Sequence, residues 1–266
     1  MYRSWALMRI AGAQGSAGDR QASGRTFASA LASAREIIDP ESQSRALMSI
    51  AEAQARAGDI PGAMAAASTI ADPMYRSWAL MRIAGAQGSA GDRQASGRTF
   101  ASALATAREI VDPESRSWAL SSIAGAQARA GDIPGAMAAA STIADPMYRS
   151  LALRDIAEAQ AGAGDRQASG RTFASALASA REIVDPESRC WALSSIAGAQ
   201  ARAGDIPGAM AAASTIADPI IRSWALHDIA KAQAGAGDIG EIFVLTPQGK
   251  WQPAPLALNP ETGHIL

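Results

Sequence analysis

Arg3-Ser-Trp-Ala-Leu-Met-Arg-Ile-Ala-Gly-Ala-Gln-Gly-Ser-Ala-Gly-Asp19 reads as one helix and the turn that ends it, and a version of it returns six more times along the 266-residue chain. A Leu-x-x-Ile-Ala-x-Ala-Gln core and a Gly-Asp stop are its constant features. One glutamine marks each copy: Gln14, Gln54, Gln87, Gln127, Gln160, Gln200 and Gln233. The spacings alternate between 40 and 33 residues, so the period is 73, a long unit followed by a short one. A fixed period of helix-sized units is the signature of stacked repeats.

Long units occupy 1–40, 74–113 and 147–186, short units 41–73, 114–146 and 187–219, and a seventh, broken unit begins at Ile220. In each, helix A places Leu7, Ile10, Ala11 and Gln14, or their equivalents, at i, i+3, i+4 and i+7, one buried helix face. Gly18 supplies a stop where φ turns positive, and Asp19 caps the helix that follows. Helix B of the long unit is expected from about 20 to 38, with Phe27, Leu31, Ala34 and Ile38 on one face. In the short unit it is expected from about 60 to 71, around Ala63, Met64, Ala67 and Ile70. The seven-residue difference is close to two helical turns, so it lengthens helix B without rotating its buried face. Asp-Pro pairs such as Asp39-Pro40 and Asp72-Pro73 are expected to end each helix B, because a residue before proline leaves the α region.

These features predict an all-α fold: an α-solenoid of helix-turn-helix repeats, about six and a half units over 1–238. Alanine dominates both helices, so each side chain buries little area and stability must come from stacking of neighbours. The pattern breaks after Asp238, and 239–266 form a C-terminal extended or β-hairpin tail. There Ile242-Phe-Val-Leu-Thr246 is β-like, Pro247-Gln-Gly249 signals a turn, and Lys250-Trp-Gln252 reads as a returning strand. Either the tail covers the apolar face left open by the seventh unit or it docks on another molecule.

Helix-turn-helix units of about 34 residues, with Gly-Asp between the helices, an alanine four residues on (Ala136 after Asp132) and Asp-Pro at the close, resemble the tetratricopeptide repeat over 1 to about 238. The chain differs in having glutamine where that family prefers a helix A tyrosine, Ala11 in place of a glycine, and long units above the usual length. The resemblance implies that helix A lines a concave groove used for peptide or protein binding.

Comparison of the copies with one another locates the variable columns. The first two long units differ only at Ser33/Thr106 and Ile38/Val111, yet one helix A column reads Trp5, Arg45, Trp78, Trp118, Leu151, Trp191, Trp224. Three and four residues later come Met8-Arg9, Met48-Ser49, Met81-Arg82, Ser121-Ser122, Arg154-Asp155, Ser194-Ser195 and His227-Asp228. The next turn reads Gly12, Glu52, Gly85, Gly125, Glu158, Gly198, Lys231. Two readings stand: a binding groove, Met- and Arg-rich toward its N-terminal end and bearing Arg154, Asp155, Glu158, His227 and Asp228 toward its C-terminal end, or solvent-facing positions that drift freely. The tryptophans are expected to pack between successive A helices, the glycines to admit a close backbone, and the glutamine amide to bridge neighbouring turns.

Other classes find little support. With 24 basic and 25 acidic residues the chain has no overall field for nucleic acid or an anionic surface. His227 and His264 are the only histidines, and no Cys/His cluster has metal spacing, so neither an enzyme nor a cofactor or metal site is expected. Cys190 stands where other copies have serine. No apolar run approaches the ~18 residues of a membrane span, and without a signal-like leader a cytoplasmic location is expected. The expected function is a non-catalytic scaffold binding a peptide or protein partner. The alternative is a subunit that stacks head to tail on itself into a filament, since no polar capping unit is evident.

Overall fold

The computed structural model describes residues 2–235, 241–245 and 251–255. The A helices are α1 (Tyr2–Ser16), α3 (Pro40–Arg56), α5 (Pro73–Ser89), α7 (Pro113–Arg129), α9 (Pro146–Gly162), α11 (Pro186–Arg202) and α13 (Pro219–Gly235). The long B helices are α2 (Arg20–Arg35), α6 (Arg93–Arg108) and α10 (Arg166–Arg181), and the short ones α4 (Ile60–Ser68), α8 (Ile133–Ser141) and α12 (Ile206–Ser214). Consecutive A helices pack side by side in one layer, and each B helix packs on its own A helix and on the next. This is the expected α-solenoid.

Both expected turns recur. Gly18, Gly58, Gly91, Gly131, Gly164 and Gly204 all adopt positive φ, the conformation that ends helix A without a Cβ penalty. The aspartate that follows caps helix B, as when the Asp19 carboxylate accepts the Ala22 N–H at 2.9 Å. The Asp-Pro pairs do a different job from the one expected. Helix B has already ended four residues earlier, and Asp39, Asp72, Asp112 and Asp145 cap the following helix A while the proline takes its first turn. A proline there gives up an N–H that would have had no intrahelical acceptor.

Helix B is shorter than expected at its C-terminus. α2 stops at Arg35, and a tighter turn, Ile37 N–H to the Ala34 carbonyl, follows. That turn points the Ile37 column inward, with Ile110 and Ile183 buried, and leaves Ile38 97 % exposed, with Val111 and Val184 both 91 % exposed. The inward face is therefore Ser23, Phe27, Ala30 and Ala34, with Leu31 only half-buried. α4 likewise stops at Ser68, buries Ala63, Ala66 and Ala67, and leaves Met64 half-buried. The difference of seven residues holds, 16 in α2 against 9 in α4.

Phe27, Phe100 and Phe173 and an isoleucine column, Ile50, Ile83, Ile123, Ile156 and Ile196, are fully buried between the layers. Ile10, the same position in α1, is exposed, because no helix packs ahead of α1 among the described residues. β1 (Glu241–Leu245) and β2 (Trp251–Pro255) pair antiparallel with Phe243 opposite Pro253, so the tail contains two strands as expected, the second running on to Pro255 rather than ending at Gln252. The expected turn at Pro247–Gly249, and the stretches 236–240 and 256–266 that bear on what the tail covers, lie outside the described residues.

Candidate interaction face of the A helices

The alternation of long and short B helices spaces the A layer unevenly. Across a short B helix two A helices pack closely, as in α3/α5, α7/α9 and α11/α13; across a long one, as in α1/α3, α5/α7 and α9/α11, they pack less extensively. A cleft opens at each of the three wider junctions. The first is lined by Trp5, Met8, Arg45 and Ile50, the second by Glu52, Met81, Arg82 and Arg129, and the third by Glu158 and Arg202. The 73-residue period therefore places one cleft per period on the A face.

The tryptophan column runs across this face. Trp5, Trp118, Trp191 and Trp224 are 54 %, 38 %, 44 % and 48 % exposed. As expected, several also pack between successive A helices. Trp78 and Trp118 meet edge to face at 4.5 Å between ring centroids, and Trp191 and Trp224 lie 5.1 Å apart. Tyr75, a residue the sequence reading did not single out, stands edge-on to Trp78 at 5.9 Å. Arg45 departs from the column: it turns aside to Glu41 at 2.6 Å and to the Tyr75 hydroxyl at 3.2 Å. The Tyr75 hydroxyl and then the Glu41 carboxylate push its pKa up from the ordinary value.

Below the tryptophans the charged columns pair with one another. Glu52 receives Arg56 of its own helix at 2.5 Å and Arg82 of the next at 3.4 Å. Asp155 receives Arg154 at 2.6 Å and Arg129 of α7 at 3.2 Å, while Arg154 also donates to the Ser195 hydroxyl on α11. Glu158 receives Arg202 at 2.8 Å. Arg56, Arg129 and Arg202 were not among the expected groove residues, although their signal is in the repeat: every complete short unit closes helix A with arginine, where the first two long units have serine and the third has glycine. Met8, Met48 and Met81 are half-buried, Arg9 lies 5.0 Å over the Trp5 ring, and His227 and Asp228 are exposed at the far end of the row. The expected residues thus share one face but form a row over seven helices, not a single pocket.

Two expectations change in detail. What approaches Gly125 is a side chain, not a backbone: a Cβ there would lie 2.6 Å from Asp155 Oδ2, while Gly12 and Gly85 face open space. The glutamine does not bridge neighbouring turns. In the short units Gln54, Gln127 and Gln200 donate from Nε2 to the helix B capping aspartates Asp59, Asp132 and Asp205, each at 3.0 Å. In the first long unit Gln14 instead accepts from the Thr26 hydroxyl at 2.8 Å.

Among the described residues no group of three or more His, Cys, Asp or Glu side chains is placed to hold a metal ion, Cys190 is buried and unpaired with another cysteine, and no helix is long and apolar enough to cross a membrane.

No family model matches the sequence, and no curated protein matches it. Among solved structures the chain is similar to Ton1535 from Thermococcus onnurineus NA1, at 15% identity and a TM-score of 0.39, over 84% of this chain and 99% of that one. It is also similar to PH0952 from Pyrococcus horikoshii, a Signal Transduction ATPase with Numerous Domains protein with a tetratricopeptide repeat sensor. That match has 12% identity and a TM-score of 0.34, over 88% of this chain and 39% of that one.

Proposed function

We propose that the chain is a non-catalytic interaction module that binds a peptide or protein along the exposed face of its A helices. The observation that carries this reading is the row of half-exposed indoles, Trp5, Trp118, Trp191 and Trp224, on a face where the copies differ while the rest of the repeat stays nearly constant. Exposed apolar surface of this kind, rimmed by charged side chains, marks interaction sites, and tryptophan and arginine are the residues enriched where binding energy concentrates. The tetratricopeptide-like spacing supports the same face as the binding one.

The test is partner capture by the full chain, followed by mass spectrometry. The combined variant Trp118→Ala, Trp191→Ala, Trp224→Ala is expected to lose the captured partner, and a control on the B helices, Arg98→Ala with Arg171→Ala, to retain it. Equal capture by both variants overturns the reading.

Stacking of copies into a filament is the alternative, and the exposure of Ile10 in α1 favours it: every described equivalent from Ile50 to Ile229 is buried. A preceding unit, in this chain or another copy, would cover it. Light scattering over a hundredfold dilution tests this: mass that grows with concentration supports stacking, and constant mass removes it.

A further inference from the structure

Three junctions in the A layer are equivalent by the 73-residue period, and they can be compared as three answers to one packing problem. At α5/α7 the tryptophan column supplies Trp78 and Trp118, whose rings meet edge to face at 4.5 Å and 81°. At α9/α11 it supplies Leu151 and Trp191, and the Trp191 ring packs on Trp224 instead. At α1/α3 it supplies Trp5 and Arg45. The sequence of α3 contains no aromatic residue, and Arg45 is drawn aside to Glu41 and Tyr75. What remains between Trp5, Met8, Ala46 and Ile50 is an open, mostly apolar cleft of about 140 Å³. A hole of roughly that size holds a benzene ring.

We infer that this cleft is a specificity pocket for an aromatic side chain, of phenylalanine size, carried by a peptide with carboxylates on either side of it. The inference rests on the A face being the binding face. The incoming ring takes the place that the Trp118 indole fills one period later and packs on Trp5. Aromatic pairs of this geometry add attraction beyond the area they bury. Charge sets the neighbours of the ring. Arg9 lies over the Trp5 ring and pairs with no carboxylate among the described residues, and Arg45 stands on the opposite wall with Glu41 as its one carboxylate partner. Two guanidiniums against one carboxylate leave a positive rim, and arginine favours acidic groups through paired N–H donors.

The experiment follows the indole N–H signals of the full chain by NMR, with the Trp5 signal assigned by its loss in Trp5→Phe. The probes are short Gly-Ser peptides with a central Phe between two Asp, the same with central Ala, and the same with Phe between two Lys. The first peptide is expected to shift the Trp5 signal, the second to leave it in place, and the third to bind about tenfold more weakly. Arg45→Glu, an exposed position, reverses the preference between Asp and Lys flanks. Arg45→Trp supplies the missing indole from within, as at Trp118, and abolishes the shift.

If the peptides move other indoles on the A face but not Trp5, the pocket assignment is wrong while the binding face stands. If no indole moves with any peptide, the pocket assignment is also wrong, and the binding face is judged separately by partner capture. A Trp5 shift produced by concentrating the protein alone makes a second copy the occupant and overturns the peptide assignment.

Discussion

Gly135 and Gly12 are both glycines inside repeat helices, and they should respond to alanine in opposite ways. A Cβ at Gly135 would fall 2.2 Å from Asp132 Oδ2 and 2.7 Å from Gln127 Nε2, so Gly135→Ala pushes apart the amide–carboxylate pair that holds the start of α8. The loss is expected at about 1–2 kcal/mol, the cost of a cap and a hydrogen bond to a charged group. A Cβ at Gly12 or Gly85 meets nothing within 4 Å, so alanine there raises stability by up to about 1 kcal/mol. Urea unfolding followed by circular dichroism measures both, and equal signs for the two substitutions would contradict this packing. The invariant glutamine was legible in the sequence as structural. Its partner was not, because the pairing depends on whether the third residue of helix B is Gly62, Gly135 or Gly208, which leave room for the aspartate, or Ala22, Ala95 or Ala168, which do not repeat that pairing.

At the scale of the element, the caps govern the response to acid. Asp39 and Asp185 are held below the ordinary carboxylate pKa of 3.8 mainly by the Ser42 and Ser188 side chains, with the backbone N–H of the same residues second. Asp112 is lowered mainly by the Ser115 backbone N–H. A carboxylate whose pKa is lower in the folded state contributes stability that is fully present above its unfolded pKa and is lost as pH falls through the folded value. Thermal stability should therefore carry the full contribution of these caps at pH 6, with no pH dependence from them there, and fall progressively below 3.8. In the combined variant Asp39→Asn, Asp112→Asn, Asp185→Asn, that acid-dependent loss shrinks; an unchanged acid profile contradicts the role assigned to the caps.

Helix identity, the 73-residue alternation and the Gly-Asp turns were all readable, because each rests on local spacing. The ends of the helices were not. Asp-Pro is compatible both with closing one helix and with opening the next, and the structure shows the second: the Asp39 carboxylate accepts the Ser42 N–H of the helix that follows. The variable face was readable from Trp5 to Asp228. The Arg129–Asp155 and Arg202–Glu158 pairs were not, since they join residues 26 and 44 positions apart whose approach is set by the spacing of the A layer.

For the whole molecule, a solenoid whose units contact only their neighbours should tolerate removal of one full period. Deleting 74–146 joins Pro73 to Met147, as Pro146 joins it in the intact chain, and preserves the order short B helix, then long-unit A helix. The shortened chain is expected to keep its helical content per residue while its urea m-value falls in proportion to the surface removed. A shortened chain without cooperative unfolding would contradict nearest-neighbour stacking.

Contact with the partner through the A layer, and not through the B helices, can be read by site-specific photo-crosslinking, with benzoylphenylalanine placed at Trp118 or Trp224 on the A face and at Arg98 or Arg171 on the B helices. Crosslinked partner from the first two positions and none from the second two is the predicted result; crosslinking from the B helices, with none from the A face, would contradict it.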